Sequence, residues 1–271
     1  MTSPATPHAD PADLALALRL CDLADTMTAA AFRRRDLVVE TKPDLTPVSE
    51  ADRAVEEAVR AELAHVKPGD AVLGEEFGES GQGPRRWIID PIDGTKNFVR
   101  NIPVWATLLA LEEDGQLLVG VVSAPALDRR WWAGRGLGAF ADVPGGPGVP
   151  IAVSHIKELG DAQLSYASAE GWGKRDMVEH IIELSAKCWR TRGFGDFWSH
   201  MLVAEGACDI GLDPAVSLWD LAALQVIVEE AGGRFTDLEG IARPDGGSAV
   251  STNGFLHNEA LAILGSRSSA Q

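Results

Sequence analysis

Between residues 12 and 35 apolar side chains recur at helical spacing. Leu14, Leu18, Leu20, Leu23 and Met27 form a broad face, which predicts an amphipathic helix ending near Arg33, Arg34 and Arg35. Cations favour the negative end of a helix, so these arginines read as helix-end caps and not as a nucleic-acid patch. Thr46-Pro47 predicts the start of a second helix with proline in its first turn; Val48 to Val66 continues it and puts Asp52 on its early turns. The pattern then shortens. Ala71-Val72-Leu73 and Trp87-Ile88-Ile89 are too brief for helices and predict buried strands. Runs at 104–111 and 117–122 flank the turn Glu112-Glu113-Asp114-Gly115, a hairpin within an antiparallel sheet. Past the break at Gly145-Gly146-Pro147-Gly148, strands near 164–167, 189–192 and 207–211 alternate with helices near 174–187, 197–205 and 218–231, an α/β pattern. The expected organisation is a flexible tail at 1–10, an N-terminal α+β lobe at 11–150 and a C-terminal α/β lobe at 151–271.

Chemistry concentrates where strands stop. Trp87-Ile88-Ile89 runs into Asp90-Pro91-Ile92-Asp93-Gly94-Thr95-Lys96-Asn97-Phe98. Pro91 fixes φ and Gly94 permits close passage of a ligand, so Asp90 and Asp93 are expected to converge. Two carboxylates in one small space call for a cation, and oxygen-only ligation suits magnesium. If Gly94 and Thr95 open a helix, their amides favour an anion. Gly74-Glu75-Glu76 puts another acid pair at a strand end, and Trp219-Asp220 puts an acid in the first turn of an apolar helix. Each has a plain alternative: solvated turn acids, or a first-turn acid that complements the helix dipole.

Gly-Glu-Glu at 74–76, Trp-Ile-Ile-Asp-Pro-Ile-Asp-Gly-Thr-Lys-Asn-Phe at 87–98 and Trp-Asp at 219–220 together resemble the inositol monophosphatase family, over nearly the whole chain. Lys42 and the segment Thr46 to Asp52 are similar to further family motifs. The runs 189–198 and 217–224 resemble the histidinol-phosphate phosphatases of actinobacteria within it. The resemblance implies the layered α-β-α-β-α sandwich of the sugar-phosphatase superfamily, with the site between lobes, and a homodimer. It implies two or three Mg2+ ions: Glu75, Asp90 and the Ile92 carbonyl on one, and Asp90, Asp93 and Asp220 on a second. Thr95 and Asp52 would position and deprotonate the attacking water, assisted by Glu75. Gly94, Thr95, Arg192, Asp196 and Asp213 would contact a small phosphate monoester, either histidinol phosphate or an inositol or other polyol or nucleotide phosphate. Arg190 and Arg192 share one face of a short strand. Two acids, Asp196 and Asp213, suit a cationic alcohol, although Asp196 also reads as a cap for a helix starting at Phe197. His200 reads as a packing or surface residue.

Composition trims these options. The 271 residues carry 40 acids against 24 Lys plus Arg, a net charge of -16, which disfavours nucleic acid as a partner. Three widely spaced cysteines, Cys21, Cys188 and Cys208, indicate neither a disulfide framework nor a structural zinc, and read as packed thiols in a reducing compartment. No apolar run is long enough for a membrane span and no leader is evident, so the expectation is a cytoplasmic protein without membrane partners. A haloacid-dehalogenase phosphatase would separate its two acids by one residue; here two intervene, and no covalent phospho-aspartate is expected. Gly134-Arg135-Gly136-Leu137-Gly138 fails the dinucleotide spacing and reads as a turn. Trp131 and Trp132 read as core or interface anchors. A metal-responsive binding protein without turnover is the alternative of a different class.

Overall fold

The computed structural model describes residues 8–34, 36–41 and 47–265, so Arg35, Lys42 and Thr46 lie outside the described residues. Two sheets dominate. The first has eight strands in the order β10-β9-β8-β7-β6-β5-β3-β4: β3 (Ala71–Gly74), β4 (Gly78–Ser80), β5 (Arg85–Asp93), β6 (Ala106–Glu113), β7 (Gln116–Ala124), β8 (Arg129–Gly134), β9 (Gly138–Asp142) and β10 (Val149–Pro150). All neighbours are antiparallel except β3 and β5. The second has five, in the order β12-β11-β13-β15-β14: β11 (Gln163–Tyr166), β12 (Arg190–Arg192), β13 (Ile210–Asp213), β14 (Arg234–Thr236) and β15 (Ala249–Thr252). A two-stranded ribbon, β1 (Val39–Thr41) and β2 (Pro47–Ser49), stands apart.

Helices fill the faces. On the outer face of the first sheet, α1 (Pro11–Ala31) and α2 (Glu50–Val66) bury Leu16, Leu20, Val55 and Leu63 against Trp87, Ile89, Leu111 and Val121. Between the sheets, α6 (Asp196–Ala204) and α7 (Leu218–Glu230) join Ile88, Leu108 and Trp131 to Phe235 and Ala249. On the far face of the second sheet lie α4 (Ala169–Lys174), α5 (Val178–Lys187) and α8 (His257–Gly265), packing Trp172, Leu184 and Leu264 on Leu164 and Leu212. The result is α-β-α-β-α, five layers. Because α7 has a sheet on each side, every residue from Leu221 to Val228 is buried, as an all-round apolar helix requires. Gly120 lets it approach: a Cβ there would sit 2.4 Å from the Ala223 carbonyl oxygen. The short α3 (Thr95–Val99) follows β5 directly.

Several expectations are corrected. The second helix starts at Glu50, not at Pro47, because Ser49 is its N-cap and closes a capping box with Asp52; Pro47 to Ser49 pair with β1 instead. The first helix stops at Ala31, and Arg34 binds Asp36 and Glu50 beyond its end rather than capping it. Its buried face runs through Leu16, Ala17, Leu20, Cys21 and Ala24, leaving Leu23 exposed. The span 174–187 is two helices, separated around Asp176, whose φ of 55° breaks the helical path. Within the segment read as a tail, Ala9 is buried and donates its amide to the Arg135 carbonyl. Cys21 and Cys208 are buried and Cys188 half-buried, all free. Trp131 and Trp132 are core, and 135–137 is the turn between β8 and β9. No helix among the described residues is long and apolar enough to cross a membrane.

Candidate metal-dependent active site

A regular strand would point residues three apart to opposite faces. In β5 the register slips: Asp90 pairs with Leu108, yet Asp93 pairs with Ala106, so three steps on β5 match two on β6. This bulge brings both carboxylates to one side. It is held by the Thr107 hydroxyl, which donates to the Pro91 carbonyl at 2.8 Å, and by the Ile92 amide, which donates to Asp90 Oδ1 at 3.0 Å. The parallel neighbour β3 ends level with Ile89, and the Glu75 amide donates to the Ile89 carbonyl at 3.2 Å, so Glu75 emerges beside Asp90.

Two helix starts supply the remaining acids by the same device. In α2, Asp52 Oδ2 accepts the Ser49 amide at 2.8 Å and its hydroxyl at 2.5 Å; in α7, Asp220 Oδ2 accepts the Ser217 amide at 2.7 Å. Each box fixes one carboxylate oxygen and frees the other. The role of helix-start carboxylate and that of site residue therefore coincide. Asp52 spends its second oxygen on Thr95, whose hydroxyl lies 3.3 Å from Asp52 Oδ1 and 3.0 Å from the Ile92 carbonyl. Gly94, at φ 80°, turns the chain into α3, with the Asn97 and Phe98 amides folding back to its carbonyl.

Asp90, Asp93 and Asp220 each offer an oxygen within 4.8 Å of the others. Burial raises all three carboxyls, Asp220 to about 7, and mutual repulsion adds to it: Glu75 and Asp93 act on Asp90, Asp196 and Asp220 on Asp93. Asp52 is raised too, chiefly by burial, with Glu75 contributing. Such a cluster is costly unless a cation joins it. Its oxygen-only chemistry fits Mg2+, with Glu75 facing Asp90 and Asp220 at the edge of the trio.

Glu75, Asp90, Asp93, Thr95 and Asp220 line a cavity of about 690 Å³ whose opposite wall comes from the second sheet. Asp196 and Asp213 both face it. The Asp196 side chain does not cap α6. Asp196 is itself the first residue of that helix, at φ 47°, and its Oδ2 accepts from the Asn97 side chain at 3.0 Å. The Phe197 amide goes instead to Asp93 Oδ2, at 2.8 Å, tying the helix to the carboxylate cluster. Burial raises the Asp196 carboxyl, opposed by Lys96, and pushes Asp213 up to about 8. Arg192 is not brought in: it is exposed, its guanidinium on the Thr191 carbonyl, and Arg190 reaches only toward Gln163.

The inositol monophosphatase family pattern matches residues 13–268. The chain belongs to the inositol monophosphatase family. A histidinol-phosphatase of Mycobacterium tuberculosis is 58% identical over 93% of this chain and 97% of its own. One from Streptomyces coelicolor is 52% identical, over 94% and 97%. Among solved structures, a Thermotoga maritima IMPase superposes with a TM-score of 0.84 at 31% identity, covering 94% of this chain and 97% of that one.

Three residues lining the cavity of this inositol monophosphatase family member escaped the sequence reading of the site. Lys96 is the one lysine or arginine among the described residues there, and its place inside the motif was the available signal. Asn97 braces Asp196 and donates also to the Val104 carbonyl. His200 is buried, as expected of a packing residue, with Nδ1 on the Ser251 hydroxyl at 2.8 Å, yet it also lines the cavity. No local pattern distinguishes it from a core histidine.

Proposed function

We propose that this chain is a magnesium-dependent phosphomonoesterase that hydrolyses L-histidinol phosphate to L-histidinol and phosphate, a step of histidine biosynthesis. The observation that carries the metal chemistry is the strand bulge that aligns Asp90 with Asp93 against Asp220. Glu75, Asp90 and the Ile92 carbonyl would hold one ion, and Asp90, Asp93 and Asp220 another. Bound magnesium would supply charge stabilisation for the phosphoryl oxygens and an acidified water. The chain's own groups do the rest. Thr95 orients the attacking water and Asp52 takes a proton through the Thr95 hydroxyl, with Glu75 assisting. The amides at Gly94 and Thr95, which helix geometry leaves without intrahelical acceptors, face the phosphate. Attack is in line, without a phospho-enzyme.

The leaving group decides the substrate. Asp196 and Asp213 suit the ammonium and imidazole of histidinol, and the sequence identity to histidinol-phosphatases supports the same choice. The second reading is a neutral polyol phosphate: burial pushes the Asp213 carboxyl up to about 8, and the cavity wall holding it would then offer a donor to a hydroxyl in place of a charge for a cation. Phosphate release from L-histidinol phosphate and inositol 1-phosphate, measured side by side with Mg2+ and with chelator, separates the two. Preference for the former, lost on chelation, upholds the proposal; preference for the latter replaces it. A homodimer in the cytoplasm completes the reading. Val178 and Ile182, one turn apart on α5, and Trp189 just beyond its end are exposed, which is compatible with self-association.

A further inference from the structure

Glu56 takes no part in the chemistry described so far, yet its carboxylate is fully buried. It sits one turn after Asp52 on α2, on the same face. Its Oε2 accepts the Glu76 amide at 2.8 Å and its Oε1 accepts the Phe77 amide at 3.2 Å, the two amides that follow Glu75 in the tight turn from β3 to β4. Arg60, one further turn along α2, donates Nε to Glu56 Oε1 at 2.8 Å, and its other nitrogens reach the Ser80 hydroxyl at 2.7 Å and the Gly78 carbonyl. Gly74 makes room: a Cβ there would meet Glu56 Oε1 at 2.0 Å. A buried charge is retained at a cost unless several donors converge on it, and here the donors are two amides of the hairpin and the arginine that clamps that hairpin.

We propose that Glu56 is a positioning residue for Glu75, holding the turn that presents Glu75 to the metal cluster at a fixed distance from the Asp52–Thr95 pair. This rests on the assignment of Glu75 as a ligand made above. One rigid helix thereby sets both the water-orienting pair and the edge of the metal site, about 6 Å apart along its axis. Displacing the carboxylate moves Glu75 relative to Thr95 while leaving Asp196 and Asp213 in place.

The test compares E56Q, E75Q and the double variant, with R60M as a milder second lever should E56Q fold poorly. In chelated protein, amide exchange at Glu76 and Phe77 should accelerate in E56Q, whose side chain offers one oxygen where the carboxylate uses two, and in R60M, which removes the arginine that pins that carboxylate. The Mg2+ concentration for half-maximal phosphate release should rise about tenfold in E56Q, the loss of one buried charged hydrogen bond. Substrate KM at saturating Mg2+ should stay within about twofold. Adding E56Q to E75Q should bring little further change. If E75Q shifts the Mg2+ requirement and E56Q does not, or if the two effects add fully, Glu56 is merely structural. If E75Q itself leaves the Mg2+ requirement unmoved, the ligand assignment of Glu75 fails and the proposal falls with it.

Discussion

The Thr95 hydroxyl lies 3.3 Å from Asp52 Oδ1, joining the start of α3 to the start of α2 across 43 positions of chain. Each partner is anchored elsewhere, Thr95 on the Ile92 carbonyl and Asp52 on Ser49, so the contact is a product of two independently fixed elements. D52N keeps the shape but cannot take a proton. Its kcat should fall by about 10² to 10³, with Mg2+ affinity little changed, as expected for loss of a general base. Steady-state kinetics together with Mn2+ titration by electron paramagnetic resonance would check this.

Asp93 and Asp220 should behave differently from Asp52. D93A and D220A are expected to lose metal binding and turnover together, while circular dichroism remains native. D220A also loses its capping contact to the Ser217 amide, so its stability should drop by about 1 kcal/mol. D220N in the presence of Mg2+ separates the cap from the ligand by restoring much of the first and little of the second.

The metal-free protein should have an inverted pH response. Burial holds the Asp213 and Asp220 carboxyls near 8 and 7 in the folded chain, against 3.8 for the free group. A raised folded value means that the native state binds more protons. The stabilising contribution is complete below 3.8, shrinks progressively as pH rises above that, and is exhausted once pH has passed about 7 for Asp220 and about 8 for Asp213. Unfolding free energy in chelator, and melting temperature with it, should therefore fall between about pH 5 and 8, by up to about 1.4 kcal/mol per pH unit for each of the two groups, and level off above that. Saturating Mg2+ should flatten that slope, which differential scanning calorimetry at several pH values would reveal.

Asp196 and Asp213 can be weighed as a substrate filter. D213N and D196N should each raise KM for L-histidinol phosphate by about tenfold or more, the scale of a lost charged hydrogen bond. KM for inositol 1-phosphate should move far less. Equal effects on both substrates would place the two acids in general cavity structure instead of cation recognition.

Much of the site was readable because its residues cluster in one segment with a strong local grammar: an apolar strand, then Asp90, Pro91, Asp93, Gly94 and Thr95. Asp220 was readable as the acid opening an apolar helix. The bulge that makes Asp90 and Asp93 converge was not, since it depends on which residues of β6 lie opposite. Of the two readings of Asp196, the cap fails because Asp93, 104 positions away, takes the Phe197 amide that a local reading assigns to the nearest carboxylate. At the fold level, long strands and α7 announced themselves by apolar runs. Brief elements such as β1, β4 and β14, only three residues each, carry too little pattern to be seen before their neighbours are known. The start of α2 was shifted because a Pro at a first turn and a Ser capping box compete, and the box satisfies the helix-end amides.

The burial of α7 between two sheets has a consequence for biosynthesis. Its amino end carries Asp220, its flanks rest on strands made earlier, β5 to β8, and on β14 and β15, made later. A chain emerging from the ribosome therefore exposes Asp90 and Asp93 well before their third partner arrives. The trio that could hold a divalent ion therefore cannot exist until synthesis has passed the start of α7, however early β5 is made.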